Sequence, residues 1–258
     1  MNKTAILVIH GIGDNEPNFA DDFKNLIAQN TLNIDNVEVK VFPCYWKDLI
    51  RNTEDSLDKQ VTNLKYKILR KFMIEFVGDA TAYQLSDDNN DFYRAVHGRV
   101  NETLEEINEW LEDDGNLIWV GHSLGTVITS NFIWDAQVPS SDGNKYFQAS
   151  DNAKLALNKL DSLFTLGSPL LVWSLQDNKD FKPVTVNRWL NIYSKYDVIG
   201  YPIKDINDNY RNDKNITDYE LSVGGIISKY SPLCHVDYLC DSTFIDIIIG
   251  ETQNSQLK

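Results

Sequence analysis

The feature that most constrains the fold of this chain is a set of short, continuous apolar runs, each closed by turn residues. The clearest are residues 5–10, 117–120, 160–166 and 189–193. Apolar runs of this length, without alternating polar residues, are typical of strands that are buried on both faces of a parallel sheet. Residues 37–45, stopped near Pro43, are a further predicted strand, and residues 219–223 are a weaker one.

Helical periodicity fills the stretches between these runs. Apolar residues recur at steps of three and four, which predicts helices at about 18–29, 56–77, 93–111, 124–134 and 242–249, the last ended by Gly250. Strands that alternate with helices predict an α/β fold, a three-layer sandwich of a mainly parallel central sheet with helices on both faces. We expect one domain over residues 1–258, with about 47–92 as a helical cap or covering segment.

Charge and composition limit the classes of function. The chain has 24 basic and 38 acidic residues, a net charge of −14, and an acidic surface repels nucleic acid. It has no apolar run of about 18 residues, so no transmembrane helix is expected. Cys44, Cys234 and Cys240 form no metal-ligand pattern, and the first residues lack a signal-peptide cleavage site. We therefore predict reduced thiols, no metal and a cytoplasmic location.

The segment Gly-His-Ser-Leu-Gly at 121–125 fits the G-x-S-x-G pattern of a nucleophile elbow. An apolar run precedes it and a helical pattern follows it, which is the strand–turn–helix context that this motif requires. Ser123 is the candidate nucleophile, and the flanking Gly121 and Gly125 relieve crowding in the turn. The alternative is an ordinary turn with an inert serine. His122 is the variable position, and we expect its side chain to point away from the hydroxyl.

A second motif, His-Gly-Ile-Gly at 10–13, follows the first predicted strand. Acyl transfer creates an oxyanion that needs two N–H donors, one from the residue after the nucleophile and one from an earlier strand–helix loop. Leu124 is the expected first donor. Ile12 is the preferred second donor and Gly11 the fallback, while His10 is expected to support the loop. A tight turn that binds no ligand is the alternative.

The base can be assigned by elimination, given that a serine nucleophile needs a neighbouring base. In this arrangement the chain order is serine, acid, histidine. His10 and His97 precede Ser123, and His122 lies within the elbow, so only His235 lies downstream. A structural surface histidine is the alternative reading of His235.

The acid is less constrained, since the chain is rich in carboxylates. Asp197 lies three residues beyond the predicted strand at 189–194, where the carboxyl ends of parallel strands form sites. Asp205 and Asp208 are competitors that lie farther from a strand end. We therefore select Asp197 as the partner of His235.

Together these motifs resemble the α/β-hydrolase superfamily, and most closely its lipase-like serine esterase branch. The resemblance extends over most of the chain. It is carried by His-Gly-Ile-Gly at 10–13, Gly-His-Ser-Leu-Gly at 121–125, Thr-Leu-Gly-Ser-Pro at 165–169, Asn-Ile-Tyr at 191–193 with Asp-Val at 197–198, and Cys-His-Val-Asp-Tyr at 234–238. It implies hydrolysis of a small-molecule or lipid ester through an acyl-enzyme, without a metal or an organic cofactor. No hydrophobic lid can be assigned.

Several alternatives remain at this stage. A thioesterase, an amidase or an acyltransferase would use the same residues, because substrate choice is made by loops. A catalytically silent binding module with this fold is a further alternative. The helix predicted at 56–77 carries a basic stripe, which indicates either peripheral contact with an anionic membrane or, the preferred reading, a solvated helix face. The stripe consists of Lys59, Lys65, Lys67, Arg70 and Lys71.

Overall fold

The structure is a computed structural model that describes residues 2–11, 16–32, 34, 36–49, 78, 80, 83, 91–112, 115–138, 146–176, 181–225 and 232–254. The strands are β1 (Asn2–Ile9), β2 (Val37–Cys44), β3 (Gly115–His122), β4 (Leu160–Leu166), β5 (Trp189–Tyr193) and β6 (Ile216–Glu220). The helices are α1 (Asp21–Thr31), α2 (Asp91–Leu111), α3 (Leu124–Gln137), α4 (Asp151–Leu157), α5 (Leu170–Trp173), α6 (Asp208–Asn212) and α7 (Ser242–Asn254). Short 3₁₀ helices lie at Lys47–Leu49, Ser174–Gln176, Pro232–Val236 and Tyr238–Cys240.

The strands of the described residues form one sheet in the order β2-β1-β3-β4-β5-β6, and every neighbouring pair is parallel. Because all carboxyl ends lie at one edge, the loops that follow β1, β3, β4 and β5 meet there. The chain leaves β1 toward β2 on one side and returns to β3 on the other. The carboxyl ends of β1 and β3 are therefore the topological switch point of this sheet, the place where ligands bind in open parallel sheets.

The two faces of the sheet are covered by separate apolar cores. Along β1, Leu7 packs with the side of the sheet that α2, α3 and α4 cover, while Ile6 and Val8 pack with α1 and α7. Successive side chains of a strand point to opposite faces, so a strand covered on both sides has to be apolar at every position. The predicted three-layer α/β architecture with a mainly parallel sheet is confirmed.

The C-terminal helix corrects one prediction. Gly250 was expected to end this helix, but α7 continues through it to Asn254. The turn after the glycine is held by the buried Glu251, which forms an ion pair with Arg188 at 2.5 Å and accepts a hydrogen bond from the Ser162 hydroxyl at 3.1 Å. These tertiary contacts outweigh the weak helix propensity of glycine.

Other observed element boundaries differ from the predicted ones by smaller amounts. The last strand was predicted at 219–223 but lies at Ile216–Glu220. It is the edge strand, so its apolar pattern is weak, and the buried Leu221 and Val223 that suggested the strand follow it instead. α1 begins at Asp21 instead of residue 18. The helix predicted at 56–77 and its basic stripe lie outside the described residues, as does most of the covering segment at about 47–92.

Candidate active site

At the switch point, the carboxyl ends of β1 and β3, the first glycine loop lies against the candidate nucleophile. Gly11 follows β1, and Ser123 follows the adjacent strand β3. A Cβ atom added to Gly11 would lie 2.4 Å from the Ser123 Cβ, a separation that no pair of carbons tolerates. Only glycine allows this backbone to approach the serine so closely.

Ser123 occupies a strained turn between β3 and α3. Its backbone angles are φ 54° and ψ −126°, a conformation that L-residues rarely adopt. Such a conformation costs roughly 1–3 kcal/mol and persists only where the surroundings enforce it. Here the Ser123 N–H donates to the Leu166 carbonyl at 2.9 Å, and its carbonyl accepts from the Thr126 N–H at 2.9 Å. A strained serine between a central parallel strand and a helix is the arrangement that the predicted nucleophile elbow requires.

The fold is that of the α/β hydrolases. The elbow stands on the third strand of the parallel sheet, beside the strand that carries the glycine loop, as this fold requires. The helix behind it can lie close to β1 because Gly125 has no side chain. A Cβ atom there would lie 2.6 Å from the Ile9 carbonyl oxygen and 2.7 Å from that of His10.

No protein-family model and no curated protein sequence matches this chain. Several solved structures are similar to it over nearly its whole length. A lidless α/β serine hydrolase from Xanthomonas campestris is 12% identical, with 97% of this chain and 80% of that chain covered and a TM-score of 0.43. A cutinase-like protein from Cryptococcus sp. is 10% identical, with 98% and 94% covered and a TM-score of 0.43. A putative hydrolase of the α/β superfamily from Xanthomonas campestris pv. campestris is 13% identical, with 95% and 98% covered and a TM-score of 0.40.

The structure brings Ser123, His235 and Asp197 together in a hydrogen-bonded line. His235 lies on the 3₁₀ helix Pro232–Val236, with its Nε2 2.8 Å from the Ser123 Oγ and its Nδ1 2.8 Å from the Asp197 Oδ2. An ionised carboxylate only accepts, so Nδ1 carries the proton and donates to Asp197. Nε2 then carries the lone pair that can accept the serine proton. All three side chains are buried.

Asp197 is held as an anion by its neighbours. Burial opposes its ionisation, but the hydrogen bond and charge of His235 outweigh this effect and hold the pKa of Asp197 below its usual value. The Ile199 N–H donates to Oδ1 at 2.9 Å, and the Tyr238 hydroxyl donates to Oδ2 at 2.9 Å. The carboxylate is therefore charged at neutral pH and can stabilise an imidazolium.

The competing acids lie elsewhere. Asp205 is exposed in the loop after β5. Asp208 begins α6 and pairs with Arg211 at 2.8 Å. Among the candidate acids predicted from the sequence, the structure brings only Asp197 to His235.

His122 turns its side chain toward the base loop. Its Nε2 lies 2.7 Å from the His235 backbone carbonyl, which can only accept, so His122 donates. Burial, together with the nearby His235 charge, lowers the pKa of His122 to about 3, so the ring is neutral at physiological pH. The variable position of the elbow thus ties the nucleophile turn to the backbone of the candidate base, a contact that the sequence did not predict.

The first loop is supported by His10. The Trp46 N–H donates to the His10 Nε2 at 3.1 Å, and the His10 Nδ1–H donates to the Gly11 carbonyl at 2.7 Å. The His10 and Trp46 rings stack with their centroids 4.8 Å apart. These contacts of His10 therefore hold the backbone of Gly11 in place. Ile12, the preferred second oxyanion donor, lies outside the described residues.

Leu124 begins α3, so its N–H has no acceptor within the helix. The Leu124 N–H therefore lies in the first turn of α3, directly after Ser123, where the predicted role needs a donor. Within the described part of the chain, no group of three or more His, Cys, Asp or Glu side chains could hold a metal ion. No described helix has the length and hydropathy to cross a bilayer.

The buried His10 makes stability sensitive to acid. Burial lowers the pKa of His10 from its usual 6.5 to about 3, so between these values the unfolded chain binds a proton that the folded protein does not. The contribution of His10 to the free energy of unfolding is therefore fully present above pH 6.5. It falls as the pH drops toward 3, by about 1.4 kcal/mol per pH unit. We expect His10→Gln to flatten the decline in the free energy of unfolding between about pH 6 and pH 4 by roughly that slope. Urea denaturation at several pH values measures it, and parallel declines in both proteins would contradict the assignment.

Proposed function

We propose that this protein is a serine hydrolase that cleaves carboxylic esters through an acyl-enzyme intermediate. The observation that carries the proposal is the line of hydrogen bonds, each 2.8 Å long, from Ser123 through His235 to Asp197, with the serine on a strained elbow. A serine hydroxyl is a weak nucleophile at neutral pH unless a base takes its proton. Here the base lies within hydrogen-bond distance, and an anion orients it.

The proposed cycle begins when His235 accepts the Ser123 proton as Oγ attacks the ester carbonyl. The tetrahedral oxyanion is held by the Leu124 N–H and by a second N–H from the first loop, either Ile12 or Gly11. Collapse of this intermediate expels the alcohol, which takes the proton from His235 and leaves an acyl group on Ser123. Water, deprotonated by His235, then attacks the acyl group, and the acyl–Oγ bond breaks to release the acid while Ser123 Oγ takes the proton back from His235.

The same steps serve thioesters, amides and acyl transfer, so the site alone does not select among these substrates. Two exposed valines flank the acid and the base: Val198 is 45% exposed and Val236 is 66% exposed. Each directly follows one of the two residues in the chain, so an exposed apolar side chain accompanies both and favours a substrate with an apolar part. The charged Asp197 and hydrogen-bonded His235 argue against a silent binding module.

The test is hydrolysis of p-nitrophenyl esters of increasing chain length, with thioester and anilide analogues in parallel. An acyl-enzyme mechanism predicts an initial burst of p-nitrophenol followed by a slower steady rate. Faster turnover of esters than of thioesters and anilides supports the ester assignment. Faster turnover of a thioester or an anilide would contradict the ester assignment, but it would not contradict Ser123 as the nucleophile.

The acid assignment has a matched pair of variants within this chain. Asp197→Asn keeps the shape of the side chain but removes the charge, and we expect kcat for the best ester to fall by about 10⁴-fold. Asp205→Asn makes the same chemical change at the exposed competitor, and we expect kcat within about twofold of the wild type. Equal losses in both variants, or a loss only in Asp205→Asn, would overturn the choice of Asp197.

A further inference from the structure

We propose that Tyr238 is a positioning residue of this site. Its hydroxyl sets the direction of the Asp197 carboxylate and the strength of the hydrogen bond that this carboxylate accepts from the His235 Nδ1–H. The inference rests on the proposed function, because it assigns a role within the same line of hydrogen bonds. Tyr238 lies three residues after His235, at the start of the 3₁₀ helix Tyr238–Cys240. Its side chain is fully buried.

The geometry at Asp197 shows why this hydroxyl matters. One carboxylate oxygen, Oδ2, accepts two hydrogen bonds, from the His235 Nδ1–H at 2.8 Å and from the Tyr238 hydroxyl at 2.9 Å. The other oxygen accepts from the Ile199 N–H at 2.9 Å. With donors on both oxygens, the carboxylate cannot rotate about its Cβ–Cγ bond without breaking a bond to a buried charge.

The direction of the tyrosine proton is itself fixed. The Ser194 N–H donates to the Tyr238 hydroxyl oxygen at 2.9 Å, so the hydroxyl proton is left to point at Asp197. Ser194 follows the last residue of β5, so the tyrosine links the end of this strand to the acid. Its ring lies against Gly167, where an added Cβ would come within 2.8 Å of the Tyr238 Cε2.

Two donors on one oxygen compete for the same negative charge. Burial and the Asp197 charge raise the pKa of Tyr238 well above its usual value, so the hydroxyl keeps its proton through the physiological range. The shared oxygen is therefore a weaker acceptor for His235 than it would be alone. Among the described residues, the titratable groups near the pair include His122 from the elbow, His10 behind it, and Cys234 and Asp237 beside His235.

Removing the hydroxyl should therefore change the protonation behaviour of the site as well as its geometry. Without the competing donor, Oδ2 accepts more strongly from Nδ1–H and stabilises the imidazolium more, so the base is lost to protonation at a higher pH. The carboxylate is then held by two hydrogen bonds instead of three, so it orients the imidazole less firmly and the rate is lower even where the base is fully neutral. A tyrosine that only packs would alter stability and leave the pH profile unchanged.

The experiment compares wild type, Tyr238→Phe and the control Tyr210→Phe. Tyr210 is equally buried but lies on α6, where its hydroxyl donates to the Lys182 carbonyl at 3.5 Å, outside the hydrogen-bonded line of Ser123, His235 and Asp197. The readout is the second-order rate constant for labelling by a fluorophosphonate probe, measured between about pH 5 and pH 9. Labelling needs no knowledge of the natural substrate.

We expect Tyr238→Phe to move the acidic limb of the profile upward by about half a pH unit and to lower the plateau roughly tenfold. Tyr210→Phe should change the melting temperature by a similar amount. Its pH profile of labelling should nevertheless superimpose on that of the wild type. A Tyr238→Phe profile whose acidic limb coincides with that of the wild type would overturn the inference, whatever its stability.

A second readout separates this inference from the proposed function. The proton on His235 Nδ1 gives a low-field NMR resonance, which can be assigned by its absence in His235→Ala. Tyr238→Phe should shift this resonance further downfield, because the hydrogen bond to Asp197 strengthens. If the wild type does not label, the hydrolase proposal fails, and this resonance still tests the role of Tyr238: an unmoved signal would overturn it.

Discussion

Replacing Ser123 with alanine is expected to lower kcat for ester hydrolysis by about 10⁴- to 10⁶-fold, and His235→Ala should cost a similar factor. The loss is large because the two side chains act as one unit across a 2.8 Å hydrogen bond. Without the serine there is nothing to acylate, and without the imidazole the serine proton has no acceptor. Steady-state kinetics on the best p-nitrophenyl ester measures both variants.

The double variant provides the sharper test. If Ser123 and His235 act together, removing both should cost little more than removing either, since the second change deletes a group that has already lost its function. Losses that multiply would show that the two residues act independently and would contradict the proposed pair. Thr243→Ala, at an exposed position near the start of α7, serves as a control with the wild-type rate.

The second large effect concerns stability. Gly125→Ala is expected to lower the free energy of unfolding by about 3 kcal/mol, because the new Cβ would lie 2.6 Å from the Ile9 carbonyl oxygen. Both β1 and α3 would have to move apart at the centre of the molecule, and the elbow would move with them. Urea denaturation measures the change, and ester hydrolysis should fall with it.

The matched control is Gly98→Ala, a change of the same kind in the middle of α2. A Cβ atom there meets no atom of the described residues within 4 Å, so the helix gains propensity without a clash. We expect a gain of up to about 1 kcal/mol in the free energy of unfolding. If Gly125→Ala were as stable as Gly98→Ala, the close approach of the elbow helix to β1 would be wrong.

The architecture could be predicted because β1, β3, β4 and β5 are buried on both faces. Such strands must be apolar throughout, and that pattern is visible without any structure. The C-terminal end of α7 could not be predicted, because Gly250 is a local stop signal that the distant Arg188 and Ser162 override through Glu251. The short helix α4 was missed for a similar reason: its few residues follow a long polar stretch that is typical of a loop.

In the candidate site too, local sequence features were predictable and contacts between distant residues were not. Chain order and the small number of histidines were enough to select His235, and the position after a strand end selected Asp197. The contacts of His122 and Tyr238 were not accessible, because each joins residues that lie far apart in the sequence and no local pattern marks them. The Tyr238 position had one available signal, its presence three residues after His235 in the motif at 234–238, but its partner Asp197 could come only from the fold.

The most direct test of the central claim is where a fluorophosphonate probe attaches. We predict that the folded wild-type protein gains one probe, that peptide mass spectrometry places it on Ser123, and that Ser123→Ala and His235→Ala remain unlabelled under the same conditions. A folded wild type that stays unlabelled, or a probe found on another residue while Ser123→Ala labels normally, would contradict the claim that Ser123 is an activated nucleophile.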